Sequence, residues 1–258
     1  ERSEGHQRPL TWMPIAALIP AYRPGPPLVE LAARLSQSAL GPILIVDDGG
    51  GAAYRPLFER CRELTGVQVL AHAANLGKGA ALKTGMRHLI ENAANCAGVV
   101  TADADGQHRA EDVLKVAARL AAEPTALVLG ARQFGPGVPP RNRLGNLVTR
   151  AVLRLLLGRR LTDTQTGLRG IPFDLLPALT RIPSNGYEFE LDMLIALKHW
   201  GRPVVEESIR TIYSSDLPAS HFNPLLDSMR VTFVLLRFSL LSLATAALPA
   251  FARHAARG

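Results

Sequence analysis

Cysteine is almost absent from this 258-residue chain: Cys61 and Cys96 stand far apart, with no Cys-x-x-Cys pair. That excludes a zinc-ribbon site and a disulfide scaffold, and it fits a reducing compartment. Aromatic residues make up only 5%, and no stretch interleaves them with Lys and Arg. A stacking platform for single strands is therefore missing, and no nucleic-acid partner is expected. Two phosphate-binding signatures are missing as well. No G-x-G-x-x-G follows the first strand pattern, which argues against a dinucleotide-binding dehydrogenase, and the G-x-x-x-x-G-K-[ST] loop does not occur. Residues 1–9 are polar and lack the apolar run of a signal peptide, so no export signal is expected.

What is present describes a packed protein with an anionic partner. Hydrophobic residues are 47% and charged residues 20%, enough for one large domain or a domain with an appendage. The net charge of +7 points to an acidic membrane surface or a phosphorylated substrate. The basic residues crowd into positions 132–169 and the last thirty.

From residue 15 to 130, short apolar runs alternate with amphipathic stretches. Strands are expected at 15–19 (ended by Pro20), 43–46, 67–70, 98–102 and 126–130. Helices are expected at 28–39, 54–65, 78–94 and 110–122, the last with Val113, Val116, Ala117 and Leu120 on one face. This alternation predicts an α/β fold with a parallel sheet covered on both faces. Past Pro140 it weakens: helices read at 142–157 and 188–200, and an extended segment at 203–213. Open α/β sheets bind ligands beyond the carboxyl ends of their strands. Nearly every polar oddity of the chain falls on that rim.

Asp103-Ala104-Asp105-Gly106-Gln107-His108 follows the fourth strand. Two carboxylates two residues apart can converge on a hard divalent cation, Mg²⁺ or Mn²⁺, which can bridge a diphosphate. The same spacing also occurs in turns that Asp caps. Asp47-Asp48-Gly49 follows the second strand and either accepts hydrogen bonds from a base or ribose or caps a glycine turn. Asn75-Leu76-Gly77-Lys78-Gly79 opens a helix, where a lysine and free N–H groups favour phosphate. Arg132, Arg141, Arg143, Arg169 and Arg210 can each offer a phosphate a bidentate fork or simply form a solvated basic face. Segment 231–251 is apolar except for Arg237 and is flanked by Arg230, Arg253 and Arg257. An interfacial helix on an anionic membrane is expected there, ahead of a marginal span or a buried helix.

Taken together, Ile19-Pro20-Ala21-Tyr22, Val46-Asp47-Asp48-Gly49, Asn75 to Gly79, Asp103 to His108 and Asp163-Thr164-Gln165-Thr166-Gly167-Leu168-Arg169 resemble glycosyltransferase family 2, in its polyprenyl-phosphate and dolichyl-phosphate sugar transferase branch. The resemblance implies a GT-A fold, a mostly parallel Rossmann-like sheet flanked by helices. It divides the chain into a tail (1–14), a catalytic domain (15–215) and a membrane-associated helical segment (216–258). It implies an inverting transfer from a UDP- or GDP-linked sugar to a lipid phosphate, at the cytoplasmic face of the membrane. Carried over, Pro20, Ala21, Tyr22, Asp47, Asp48, Lys78, Asp103 and Ala104 hold the donor, while Asp103, Asp105 and Gln107 hold Mg²⁺ or Mn²⁺. Arg132, Arg141, Arg143 and Arg210 take the acceptor phosphate. Asp105, Asp163 and Arg169 form the catalytic set, with Asp163 the base if the acceptor is a hydroxyl. Gly50 and Gly51 stand where the family carries Ser and a further Asp, and the Gln-x-x-Arg-Trp signature of processive synthases is missing. A sugar-phosphate nucleotidyltransferase fits poorly, because Pro20 to Gly25 lacks its glycine-rich loop. A catalytically dead scaffold of the same fold is the reading outside enzymes.

Overall fold

The computed structural model describes residues 13–132, 162–163 and 166–210. In chain order the elements are β1 (Ile15–Ala21), α1 (Pro27–Ser36), β2 (Ile43–Asp47), α2 (Arg55–Arg62), β3 (Val67–Ala71), α3 (Lys78–Asn92) and β4 (Gly98–Thr101). They continue with α4 (Ala110–Ala122), β5 (Leu127–Arg132), β6 (Arg169–Pro172), the single turn α5 (Leu176–Leu179), α6 (Phe189–His199) and β7 (Val204–Ile209). The strands form one sheet in the order β3-β2-β1-β4-β6-β5-β7. All pairings are parallel except the two made by β6.

β1 lies near the middle of the sheet and is buried along its whole length. It continues one residue past Pro20, the end predicted from the sequence. Ala17 N–H and Ala21 C=O address the β2 side, whereas Leu18 C=O addresses β4. By strand alternation Pro20 also faces the β4 side, and β4 pairs with β1 only as far as Leu18. The missing proline N–H therefore falls where no ladder bond is required.

The helices cover both faces, as expected. α1 begins with proline at its first turn, where a lost N–H is harmless. It buries Leu28, Leu31, Ala32 and Leu35 at helical spacing. Each buried leucine contributes about 1.5–3 kcal/mol. α4 buries the four predicted residues Val113, Val116, Ala117 and Leu120 in the same core, which also holds Phe58 and Cys61 of α2. On the opposite face α3 lies close to β1 because Gly85 meets Leu18; a Cβ there would stand 2.2 Å from Leu18 Cδ1. Cys61 and Cys96 are buried free thiols whose pKa burial raises.

β6 departs from the sequence reading. Its four residues, Arg-Gly-Ile-Pro, carry little strand propensity, yet all are buried and the strand lies antiparallel between β4 and β5. Gly170 sits in tight packing, since a Cβ would stand 3.1–3.3 Å from side-chain atoms of Leu120, Val128 and Val116. Antiparallel insertion brings the start of β6, with the segment before it, to the carboxyl rim of its parallel neighbours. Thr101 Oγ1 fastens that approach by donating to Gly167 O at 2.8 Å.

Arg141, Arg143, the helix expected at 142–157 and the apolar segment 231–251 lie outside the described residues. Among the described residues no helix is long and apolar enough to cross a membrane.

Candidate active site

Asp103 and Asp105 emerge just past the end of β4. Asp103 is held from two sides: Lys78 Nζ lies 2.7 Å from its Oδ1, and His108 Nε2 lies 3.4 Å from its Oδ2. Burial raises the Asp103 pKa, but the charges and hydrogen bonds of Lys78 and His108 outweigh it and hold the carboxyl well below the usual range. Asp105 differs: burial and then the charge of Asp103 push its pKa up, against the backbone N–H of Gln107, which donates to its Oδ1 at 3.0 Å. Two close carboxylates, one of them penalised by the other, suit a hard divalent cation. Gly167 completes the cradle. A Cβ there would stand 2.3 and 2.5 Å from the two carboxylate oxygens of Asp103. Asp103 and Asp105 therefore fit Mg²⁺ or Mn²⁺. Gln107 enters through its backbone, which orders Asp105.

Lys78 stands at the first turn of α3, beyond Gly77. Gly77 has φ +101° and a Cβ there would stand 2.4 Å from Asn185 O, so only glycine allows this approach. Lys78 Nζ also reaches Glu190 Oε2 at 3.0 Å. Burial works against its charge, yet Asp103 and Glu190 prevail and hold the ammonium above its ordinary range. Glu190, on α6, escaped the sequence reading. Its signal was an acid inside a buried apolar run, Phe189, Leu191, Met193 and Leu194, where a carboxylate needs a partner.

Asp48 is almost fully buried, and both its oxygens are engaged within the protein. Oδ1 accepts from Leu76 N–H at 2.9 Å and lies 2.7 Å from His72 Nδ1, and Oδ2 accepts from Gly77 N–H at 2.9 Å. His72 Nε2 in turn lies 3.0 Å from Thr84 Oγ1 on α3. Asp48 thus holds the loop that presents Lys78. Asp47 Oδ1 caps its own turn through Gly50 N–H at 2.8 Å. The end of β1 supplies buried Pro20 and Ala21 and half-buried Tyr22, on whose ring the Arg23 guanidinium rests at 5.0 Å. Ala104 is half-buried between the two acids.

Three more of the expected residues lie on the rim's other side. Arg169 is 1% exposed. Its Nε donates to Thr166 O at 3.1 Å and its Nη1 to Glu190 O at 2.5 Å. Burial pushes its pKa down. It is a buried tie between β6 and α6. Asp163, expected as a base, has no exposed surface, and its carboxylate is gripped by Arg132 through Nε and, at 3.0 Å, through Nη2. Arg132 itself is partly exposed at the end of β5. Arg210 is exposed just past β7, at the sheet's edge, with its N–H on Asp112 Oδ2 at 3.2 Å. It stands apart from the Asp103 cluster, on the far side of β5 and β6.

The carboxyl rim of this mostly parallel α/β sheet thus carries a carboxylate pair, a lysine and an arginine, a set of charges suited to a divalent cation and an anionic ligand. Residues 17–178 match the family model for glycosyl transferase family 2, and the chain belongs to that family. The UDP-N-acetylglucosamine–dolichyl-phosphate N-acetylglucosaminyltransferase of Methanococcus voltae is 30% identical over 218 residues, covering 78% of this chain and 86% of the relative. The undecaprenyl-phosphate mannosyltransferase of Micrococcus luteus is 30% identical over 206 residues, covering 76% and 83%. Glucosyl-3-phosphoglycerate synthase from Mycobacterium tuberculosis, solved with Mn²⁺, UDP and phosphoglyceric acid, superimposes with a TM-score of 0.63 at 21% identity, over 88% of this chain and 78% of that one. The fold is GT-A-like.

Proposed function

We propose that this glycosyltransferase moves a sugar from a UDP- or GDP-linked donor to a polyprenyl-phosphate-type lipid, with inversion and with Mg²⁺ or Mn²⁺, at the cytoplasmic face of a membrane. Support for the lipid phosphate comes from the two relatives named for such acceptors and from the net charge of +7. One observation carries the choice over a hydroxyl acceptor. Asp163, the candidate base for a hydroxyl, is fully buried and gripped by Arg132. A lipid phosphate is already anionic and needs a positioning cation in place of a base.

The chain's own residues divide the work. The β1 end and the Asp47 turn shape the nucleoside pocket. Asp103 and Asp105 would hold the cation, whose chemistry when bound is to offset charge on the departing nucleoside diphosphate. Lys78, at a helix N-terminus, adds a donor to the same phosphates. Arg132, oriented by Asp163, would align the acceptor phosphate oxygen for in-line attack on the anomeric carbon.

The test is transfer of radiolabel from UDP- and GDP-sugars to undecaprenyl phosphate by the full chain with Mn²⁺. The expected result is an organic-soluble product from one donor class, of opposite anomeric configuration. No organic-soluble product from any donor, alongside transfer to a sugar hydroxyl, would overturn the acceptor.

A further inference from the structure

Lys78 stands between two carboxylates, one of which belongs to the cation cradle. Its Nζ is 2.7 Å from Asp103 Oδ1 and 3.0 Å from Glu190 Oε2, with the Tyr187 ring 5.7 Å away. The backbone beneath it is fixed. Gly77 N–H is held by Asp48, Ala80 N–H donates to Asn185 O at 2.9 Å, and Gly79 packs on Phe189 and Gly186. The ammonium is the part that can shift between partners.

A Mg²⁺ on the Asp103 carboxylate would sit about 2.0–2.1 Å from its oxygen. That places a double positive charge within a few ångströms of an ammonium already resting on the same group. The two cations oppose each other unless an anion arrives to share them. We infer that Lys78 is a resident counter-ion of Asp103 that disfavours a divalent cation until a diphosphate draws the ammonium away, and that Glu190 is the positioning residue that keeps the ammonium poised between the two states. This rests on the metal reading of Asp103 and Asp105. Its consequence is that cation and diphosphate bind cooperatively, each raising the affinity for the other by the same factor. Part of that coupling comes from direct cation–phosphate contact. The part owed to Lys78 is separable, because it acts before any nucleotide is present.

The experiment measures Mn²⁺ binding to the full chain by electron paramagnetic resonance, with Mn²⁺ alone and with UDP or GDP added. In the wild type, Mn²⁺ alone should bind weakly and nucleotide should tighten it at least tenfold. Lys78→Met should bind Mn²⁺ alone at least tenfold more tightly than the wild type, a gain that mere damage to the site would not produce. Mn²⁺ affinity in Lys78→Met equal to or below the wild type overturns the inference. Glu190→Gln serves as a second variant, leaving the ammonium on Asp103 alone. Mn²⁺ should then bind at least threefold more weakly in the presence of nucleotide, and unchanged binding overturns Glu190's role. Asp105→Asn separates the two layers. If the wild type and Asp105→Asn bind Mn²⁺ alike in the presence of nucleotide, the metal reading itself fails and the inference falls with it. If only Lys78→Met behaves like the wild type, the metal reading stands and the counter-ion does not.

Discussion

Gly167→Ala isolates the placement of Asp103 from the stability of the fold. The backbone at Gly167 is outside the left-handed region, so alanine is tolerated locally. Its Cβ, however, would stand 2.3 Å from Asp103 Oδ2, 2.5 Å from Oδ1 and 2.6 Å from Cγ. Ordinary contact needs about 3.5 Å, so the carboxylate must retreat by roughly 1 Å. It is the end of a side chain that is 25% exposed, and it can swing outward. The stability lost is then the weakening of its contacts with Lys78 and His108, about 1 kcal/mol, which lowers the melting temperature by about 2–4 °C. A misplacement of about 1 Å in a catalytic arrangement costs on the order of 10²-fold in rate, or about 2.7 kcal/mol of barrier. The expected outcome is a folded protein with kcat/KM for sugar transfer down about 100-fold. Melting followed by circular dichroism and a radiolabel-transfer assay measure both quantities. Activity within about threefold of the wild type would refute the reasoning, because the tenfold-per-1.36 kcal/mol scale leaves no room for a displaced ligand.

Other outcomes follow from the same contacts. Asp105→Asn should lower metal-dependent transfer by at least about 10²-fold. Because the fold raises the Asp105 pKa, its ionised form destabilises the protein as pH rises through the carboxylate range. Metal-free Asp105→Asn should therefore melt above the wild type at neutral pH, the gain vanishing below about pH 3.9. Arg169→Met leaves the Thr166 and Glu190 carbonyls without their charged donor and should destabilise by about 3–5 kcal/mol in urea titration, an effect Arg169→Lys cannot rescue because one ammonium does not reproduce the fork. Gly85→Ala drives a Cβ into Leu18 and should cost about 1–3 kcal/mol, relieved in the double variant with Leu18→Ala.

The alternation from β1 to β5, the helix faces of α1 and α4, and the rim position of Asp103, Lys78 and Asp47 were legible in the amino-acid order alone. These features are local. A period of two or 3.6 and a polar turn after an apolar run need no distant partner to be recognised. The acidic pair after the fourth strand pattern was readable for the same reason.

The partnerships between segments far apart in sequence came from the packed fold. β6 is a strand because the slot between β4 and β5 pairs its backbone, against its own propensity. That insertion placed Gly167 against Asp103 and buried Arg169, and the fold set Asp163 on Arg132. Glu190 joined Lys78 across 112 residues of chain. A charge's role depends on which opposite charge the fold brings within about 3 Å and how much water it removes. Neither quantity is written in the spacing of residues along the chain.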